Sequence, residues 1–218
     1  MRYDAVFFDV DGTLIDSALG IRETFAHTFQ ELGIDDKNID YNQLFGPPLR
    51  RSYAKFLRTP EEVEHAVDLY RAYYHEKGSH MCVLYPGVAD MLQTLRRAGV
   101  VLCTATSKPV TVVTPILQEL GIAEYFHFIG GASEDSSIDT KTAVIRDLLP
   151  REFLQGKKIL MVGDRRDDME GARDCGLPAA AVAYGYGSKE ELAPYRPLIL
   201  ANSCNELTNF ILEGDSNE

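Results

Sequence analysis

From Tyr85 onward, short apolar runs alternate with segments of helical period, and this rhythm restricts the fold more than any other feature of the chain. VVLCTA (100–105), FHFIG (126–130), KILMV (158–162), AAAVA (179–183) and PLILA (197–201) have the length and near-continuous apolar character of buried strands. Helical patterns fill the intervals at 87–98, 109–120, 140–149, 166–175 and 188–193, and a last one covers 204–212. Ser188-Lys189-Glu190-Glu191 and Ser203-Cys204-Asn205-Glu206 both read as capping boxes that open helices. Strands that alternate with helices join in parallel and are covered on both faces. The expected class is α/β, with a Rossmann-like parallel sheet.

One further strand, DAVFFDV at 4–10, stands apart from these by about seventy residues that carry only helical signals. Within the insert, 17–32 spaces Leu19, Phe25, Phe29 and Leu32 on a helical period and stops at Gly33. Thr59-Pro60-Glu61-Glu62 combines a threonine cap, a first-position proline and a glutamate three residues on, and predicts a helix running to about Lys77. The expected domains are therefore 1–15 with 85–218 as the α/β core, and 16–84 as an inserted all-α domain. There is no internal repeat or low-complexity segment, and only the tail EGDSNE is expected to be disordered.

The composition, 45% hydrophobic and 25% charged, is that of a globular chain able to bury a sizeable core. A net charge of -11 argues against nucleic acid or an anionic membrane surface as the main partner, because both are bound by concentrated positive charge. No apolar stretch is long enough to span a bilayer, and the start of the chain lacks a signal-peptide pattern. Cys82, Cys103, Cys175 and Cys204 are widely spaced with no Cys-x-x-Cys pair, which suits reduced thiols and a cytoplasmic protein.

In open α/β sheets, ligands collect at the carboxyl ends of the strands. After the first strand comes Asp9-Val10-Asp11-Gly12-Thr13, where a plain polar turn and a chemical role compete, since an unpaired buried carboxylate is expensive. After VVLCTA comes Thr106-Ser107-Lys108-Pro109; Asp139-Thr140-Lys141 opens the helix after FHFIG; Gly163-Asp164-Arg165-Arg166-Asp167-Asp168 follows KILMV. One site would use the carboxylates, hydroxyls and ammonium of all these segments.

D-x-D-G-T-L near the start, a hydroxyl residue after the next strand, a lone lysine and a late G-D-x-x-x-D resemble the motif set of the haloacid dehalogenase-like superfamily. The chain is most similar to its phosphatase branch, in particular the phosphoglycolate phosphatase-like group with a helical cap, over about residues 3 to 213. GPPL (46–49), TSKP (106–109) and GYGSKEEL (185–192) add to the resemblance.

The resemblance implies Asp9 as nucleophile and Asp11 as general acid and then base. At neutral pH Asp11 would need a raised pKa to arrive protonated. Magnesium is the implied cofactor, held by Asp9, the Asp11 carbonyl and Asp164, with Asp168 orienting the site from behind. Thr106, the Ser107 amide and the Gly12 amide would bind phosphate, and Lys141 would neutralise it. Lys108 competes for that last place; Lys141 is preferred because it starts a helix in the family position.

Gly185-Tyr186-Gly187 reads as a flexible turn near the site. Arg50, on a loop leading into a helix of the cap, is the candidate for a substrate carboxylate or second phosphate. The implied partner is a small phosphorylated metabolite, with phosphoglycolate and a nucleoside 5′-monophosphate as leading types and a monomer or homodimer as the assembly. A pyrophosphatase, a phosphosugar mutase and a non-catalytic phosphate- or metal-binding regulatory protein are the alternatives.

Overall fold

The structure, a computed structural model, describes residues 2–135 and 137–213; the tail from 214 onward, expected to be disordered, lies outside them. The chain divides into two compact units, one made of the residues up to Asp16 and from Leu84 onward, the other of Ser17–Val83.

The first unit carries a sheet of strands β1 (Ala5–Phe8), β2 (Val101–Pro109), β3 (Phe128–Ala132), β4 (Ile159–Gly163), β5 (Ala179–Val182) and β6 (Leu200–Ala201). Their order is β3-β2-β1-β4-β5-β6, and every pairing is parallel. The strand nearest the chain start thus ends up at the centre, with Phe8 opposite Thr104 on one side and Val162 on the other. All four residues of β1 are buried, as expected of a strand covered on both faces.

Among the described residues this unit has the α-helices α4 (Val88–Arg97), α5 (Val110–Glu119), α6 (Lys141–Leu148), α7 (Arg166–Asp174), α8 (Lys189–Leu192) and α9 (Cys204–Leu212), after those of the helical unit described below. Phe7 and Met161 pack with Val144, Ile145 and Leu148 of α6 and Ala172 of α7. Strand residues of opposite parity, among them Val6, Phe8, Leu102 and Leu160, are fully buried on the other face, where α4 packs on β2 and on α9.

Most strands are offset from the expected bounds by one or two residues, and two depart further. β2 does not stop at Ala105 but continues to Pro109, because its register against β3 slips between Thr106 and Pro109. Such an irregularity bends the strand and re-aims its side chains without ending the pairing. β6 is confined to Leu200–Ala201, although the Leu198 amide already donates to the Ala179 carbonyl at 2.8 Å.

The helical unit contains α1 (Ala18–Glu31), α2 (Leu49–Tyr53) and α3 (Pro60–Glu76). The capping box at Thr59 forms as expected, with the Glu62 amide donating to Thr59 Oγ1 at 3.2 Å and Glu62 Oε2 accepting the Thr59 amide at 3.1 Å. Phe25 is the hub of an aromatic core, with ring centroids 4.8 Å from Tyr70, 5.3 Å from Tyr53 and 5.8 Å from Phe29. Leu19, counted from spacing on the apolar face of α1, is instead 59% exposed, and Ile21 takes the buried place. No helix among the described residues is long and apolar enough to cross a membrane. All four cysteines are free thiols.

Candidate active site

The loop after β1, the irregular end of β2, the first residue of α6 and the β4–α7 junction converge on one buried acidic centre. Asp9 follows β1 directly; its amide donates to the Val162 carbonyl at 2.8 Å, so β4 fixes its backbone. Its carboxylate is 7% exposed and pairs with Lys141, Nζ to Oδ1 at 2.5 Å. Lys141 also pairs with Asp168 Oδ1 at 2.8 Å and donates to the Ala105 carbonyl at 2.6 Å. Its backbone sits at the first position of α6 under a Thr140 cap, and its stem crosses α7 at Gly171.

Asp168 closes the frame from the start of α7. Its Oδ2 accepts the Asp164 amide at 3.1 Å and the Arg165 amide at 3.0 Å, as an acidic group does for the unpaired amides of a helix start. Asp164 is fully buried; Oδ1 accepts from Thr13 Oγ1 at 3.3 Å and Oδ2 from the Tyr186 amide at 2.6 Å. Carboxylate oxygens of Asp9, Asp164 and Asp168 all lie within 4.8 Å of one another.

That geometry strains the charged forms. Burial is the largest effect on Asp9; Lys141 opposes it and Asp168 reinforces it, and the net result lifts its pKa to about 7. Asp164 is held well above the ordinary carboxylate range by burial, then by Asp9 and Asp168. For Lys141, burial works against the charge, but Asp168 and Asp9 outweigh it and raise its pKa.

Three hard carboxylates against one lysine fit a small divalent cation. Asp168 has both lone pairs of Oδ2 used by amides and Oδ1 held by Lys141, whereas Asp164 accepts one hydrogen bond on each oxygen. Asp9 and Asp164 are therefore the better pair for a cation, with Asp168 committed to orienting them.

Of the residues singled out in the sequence, Asp9, Lys141, Asp164 and Asp168 meet directly. Thr106 is buried at the end of regular pairing in β2, and its hydroxyl oxygen accepts the Lys108 amide at 3.2 Å. Ser107 lies half-buried between them.

The Gly12 amide, expected to bind phosphate, donates to the Ile15 carbonyl at 2.9 Å. Gly12 also serves sterically, at φ +86° with a Cβ position that would overlap the Asp164 carboxylate. Arg50 is committed elsewhere, since its guanidinium grips Glu64 at two points, 2.5 and 2.7 Å, within the helical unit.

Sequence reasoning set aside or missed several residues that frame the centre. Lys108, passed over in favour of Lys141, brings Nζ to 2.8 Å from Asp11 Oδ1, and both side chains are largely buried. Gly185 and Gly187, read as a flexible turn, also leave room for the centre: a Cβ on the first would overlap Asp164 and the Gly12 carbonyl, and on the second the Asp164 carbonyl. Tyr184 Oη donates to the Thr13 carbonyl at 3.2 Å. The signal for Gly171 was available, as a glycine inside a helical pattern usually has a packing reason.

Fold and site together define a Rossmann-like α/β protein whose acidic centre occupies the carboxyl ends of its strands. The chain belongs to the haloacid dehalogenase-like hydrolase family, whose model matches residues 6–182. The tyrosine-protein kinase PtkA of Mycobacterium tuberculosis is 37% identical over 183 residues, which are 84% of this chain and 62% of PtkA. The chain thus spans less than two thirds of that relative. A 5′-nucleotidase of Pseudomonas aeruginosa is 33% identical over 90% of each chain. Among solved structures, a predicted phosphatase from Clostridium acetobutylicum superposes with a TM-score of 0.90 at 36% identity, covering 98% of this chain and all of that one.

Proposed function

We propose that this protein is a magnesium-dependent phosphatase that hydrolyses a small phosphomonoester through a phosphorylated Asp9. One observation carries the reading: a buried aspartate next to a central strand is held by a lysine and faces a second buried aspartate, in a chain of this family. The similarity to a 5′-nucleotidase and to a predicted phosphatase supports it. In this reading the helical unit is the cap domain, and the leading substrates are phosphoglycolate and a nucleoside 5′-monophosphate.

An Asp9 oxygen attacks phosphorus while the P–O bond to the alcohol breaks, and Asp11 gives its proton to the departing oxygen. Water then attacks the same phosphorus and yields its proton to Asp11, which frees Asp9 and releases inorganic phosphate. Lys141 keeps positive charge on Asp9 and on the phosphoryl oxygens throughout, and Thr106 with the Ser107 amide orients them. Asp9, Asp164 and the Asp11 carbonyl would hold magnesium, which would supply the charge that lets an anionic phosphate approach ionised Asp9.

Phosphate release from a panel of phosphomonoesters, with magnesium or chelator, tests this on the wild type and Asp9→Asn. Release that needs both magnesium and Asp9 is expected. Fast isomerisation with slow release would move the assignment to a sugar-phosphate mutase, and release confined to pyrophosphate to a pyrophosphatase. Magnesium binding with no turnover would make the chain a regulatory binder. The similarity to PtkA adds one further arm: transfer of phosphate from ATP to protein tyrosine in place of release would overturn the phosphatase reading.

A further inference from the structure

Lys108 has no role in the chemistry above, yet few lysines in the chain are as closely held. The Thr106 hydroxyl oxygen accepts its amide at 3.2 Å, and its carbonyl would stand 2.6 Å from a Cβ added to Gly131 on the neighbouring strand. The register slip in β2 falls between Thr106 and Pro109 and so re-aims this residue. Its side chain is 11% exposed, and Nζ lies 2.8 Å from Asp11 Oδ1.

Lys141 is held by different carboxylates, Asp9 and Asp168. The two ammonium groups therefore divide the site. Lys141 serves the phosphoryl group that reaches Asp9; Lys108 stands beside the carboxyl group that meets the departing oxygen.

We infer that Lys108 is a specificity-determining residue, which binds a second anionic group carried by the alcohol half of the substrate close to the ester oxygen. The inference rests on the phosphatase reading and narrows it to phosphomonoesters whose alcohol bears a carboxylate one carbon from the ester carbon. If Asp11 reaches the ester oxygen over an ordinary hydrogen bond of about 2.7 Å, an ammonium 2.8 Å from Asp11 Oδ1 lies within about 5.5 Å of that oxygen when Oδ1 makes the bond, and within about 7.7 Å when the other carboxyl oxygen does. A carboxylate two bonds from the ester oxygen falls inside either radius, and a lysine with three donors on a flexible stem can serve it and Asp11 together.

The surroundings make such a charge necessary. Asp9, Asp164 and Asp168 crowd the centre, so a substrate with an additional negative charge is repelled unless a cation meets that charge. A nucleoside 5′-monophosphate presents neutral sugar at the same place and gains nothing from Lys108. Arg50, the residue first expected to hold a substrate carboxylate, already holds Glu64.

The test compares kcat/KM for 2-phosphoglycolate, ethyl phosphate and a nucleoside 5′-monophosphate, using the full chain with magnesium, for the wild type, Lys108→Met and Lys108→Arg. The wild type is expected to prefer 2-phosphoglycolate over ethyl phosphate by about tenfold or more, the scale of one charge-assisted contact. Lys108→Met should bring that ratio close to one, and Lys108→Arg should keep part of it. A wild type without the preference, a measurement that needs no variant, overturns the inference. So does an equal loss on all three esters in Lys108→Met, which would make Lys108 a positioning residue for Asp11 alone. Failure of the phosphatase reading looks different: Asp9→Asn would then leave the wild-type rate unchanged on every ester, or no ester would turn over, and this inference falls with it.

Discussion

Lys141 is the residue on which most of the centre depends. It is buried between two carboxylates, and removing one member of a buried ion pair leaves an uncompensated charge, worth about 3–5 kcal/mol. Lys141→Met should therefore lower the urea midpoint of the α/β unit by that order and abolish phosphate release, whereas breaking an exposed pair such as Arg50–Glu64 should leave the midpoint nearly unchanged. Asp9 gives a prediction of opposite sign. Its pKa is about 7 in the fold against 3.8 as the ordinary value, so between those pH values the metal-free fold holds more protons than the unfolded chain. Stability must then fall as pH rises through that window. In chelator, the melting temperature of the wild type should drop more between pH 4.5 and pH 7, taken as roughly bracketing this window, than that of Asp9→Asn. Added magnesium should remove the difference, and equal slopes without metal would contradict the electrostatics described here.

At the scale of elements, α7 shows how two local rules compete. Alanine is favoured over glycine inside a helix by about 1 kcal/mol. A Cβ on Gly171, however, would stand 2.8 Å from Lys141 Cγ and 3.2 Å from the Thr142 amide nitrogen. Overpacking of that kind costs about 1–3 kcal/mol, so Gly171→Ala should be net destabilising and should also slow turnover, since the stem it displaces carries the ammonium paired with Asp9. Thr59→Ala acts elsewhere: loss of the α3 cap should cost about 1 kcal/mol in thermal unfolding, with kcat unchanged.

Elements with a clean period were legible in advance. α9 was read from 204–212 and occupies Cys204–Leu212, because a capping box and an apolar face coincide there. The continuation of β2 to Pro109 was not, because a register slip depends on the neighbouring strand and leaves no mark in local composition. The same holds within the site. Asp9 and Asp164 were legible as carboxylates at strand ends, and Lys141 as a lysine opening a helix. The steric work of Gly12, Gly185 and Gly187 around Asp164 was not, since it arises only when distant segments meet. Gly187→Ala should accordingly reduce magnesium affinity at least as much as turnover, read by calorimetric titration of the metal.

The whole molecule inherits a problem of timing from the place of β1. The central strand pairs with β2 and β4, yet both follow the helical insert in the chain, so Phe7 and Phe8 must wait for Cys103 and Met161. At a synthesis rate of about 5–20 residues per second, that interval is on the order of 5–20 s for the first partner and about 8–30 s for the second. During it an apolar segment leaves the ribosome with nothing to pair against, while Ser17–Val83 already has its own aromatic core to form. The central strand of the sheet is thus synthesised before both of the strands that flank it. Its yield in a cell should depend on chaperones that shelter nascent apolar segments more than its finished stability would suggest.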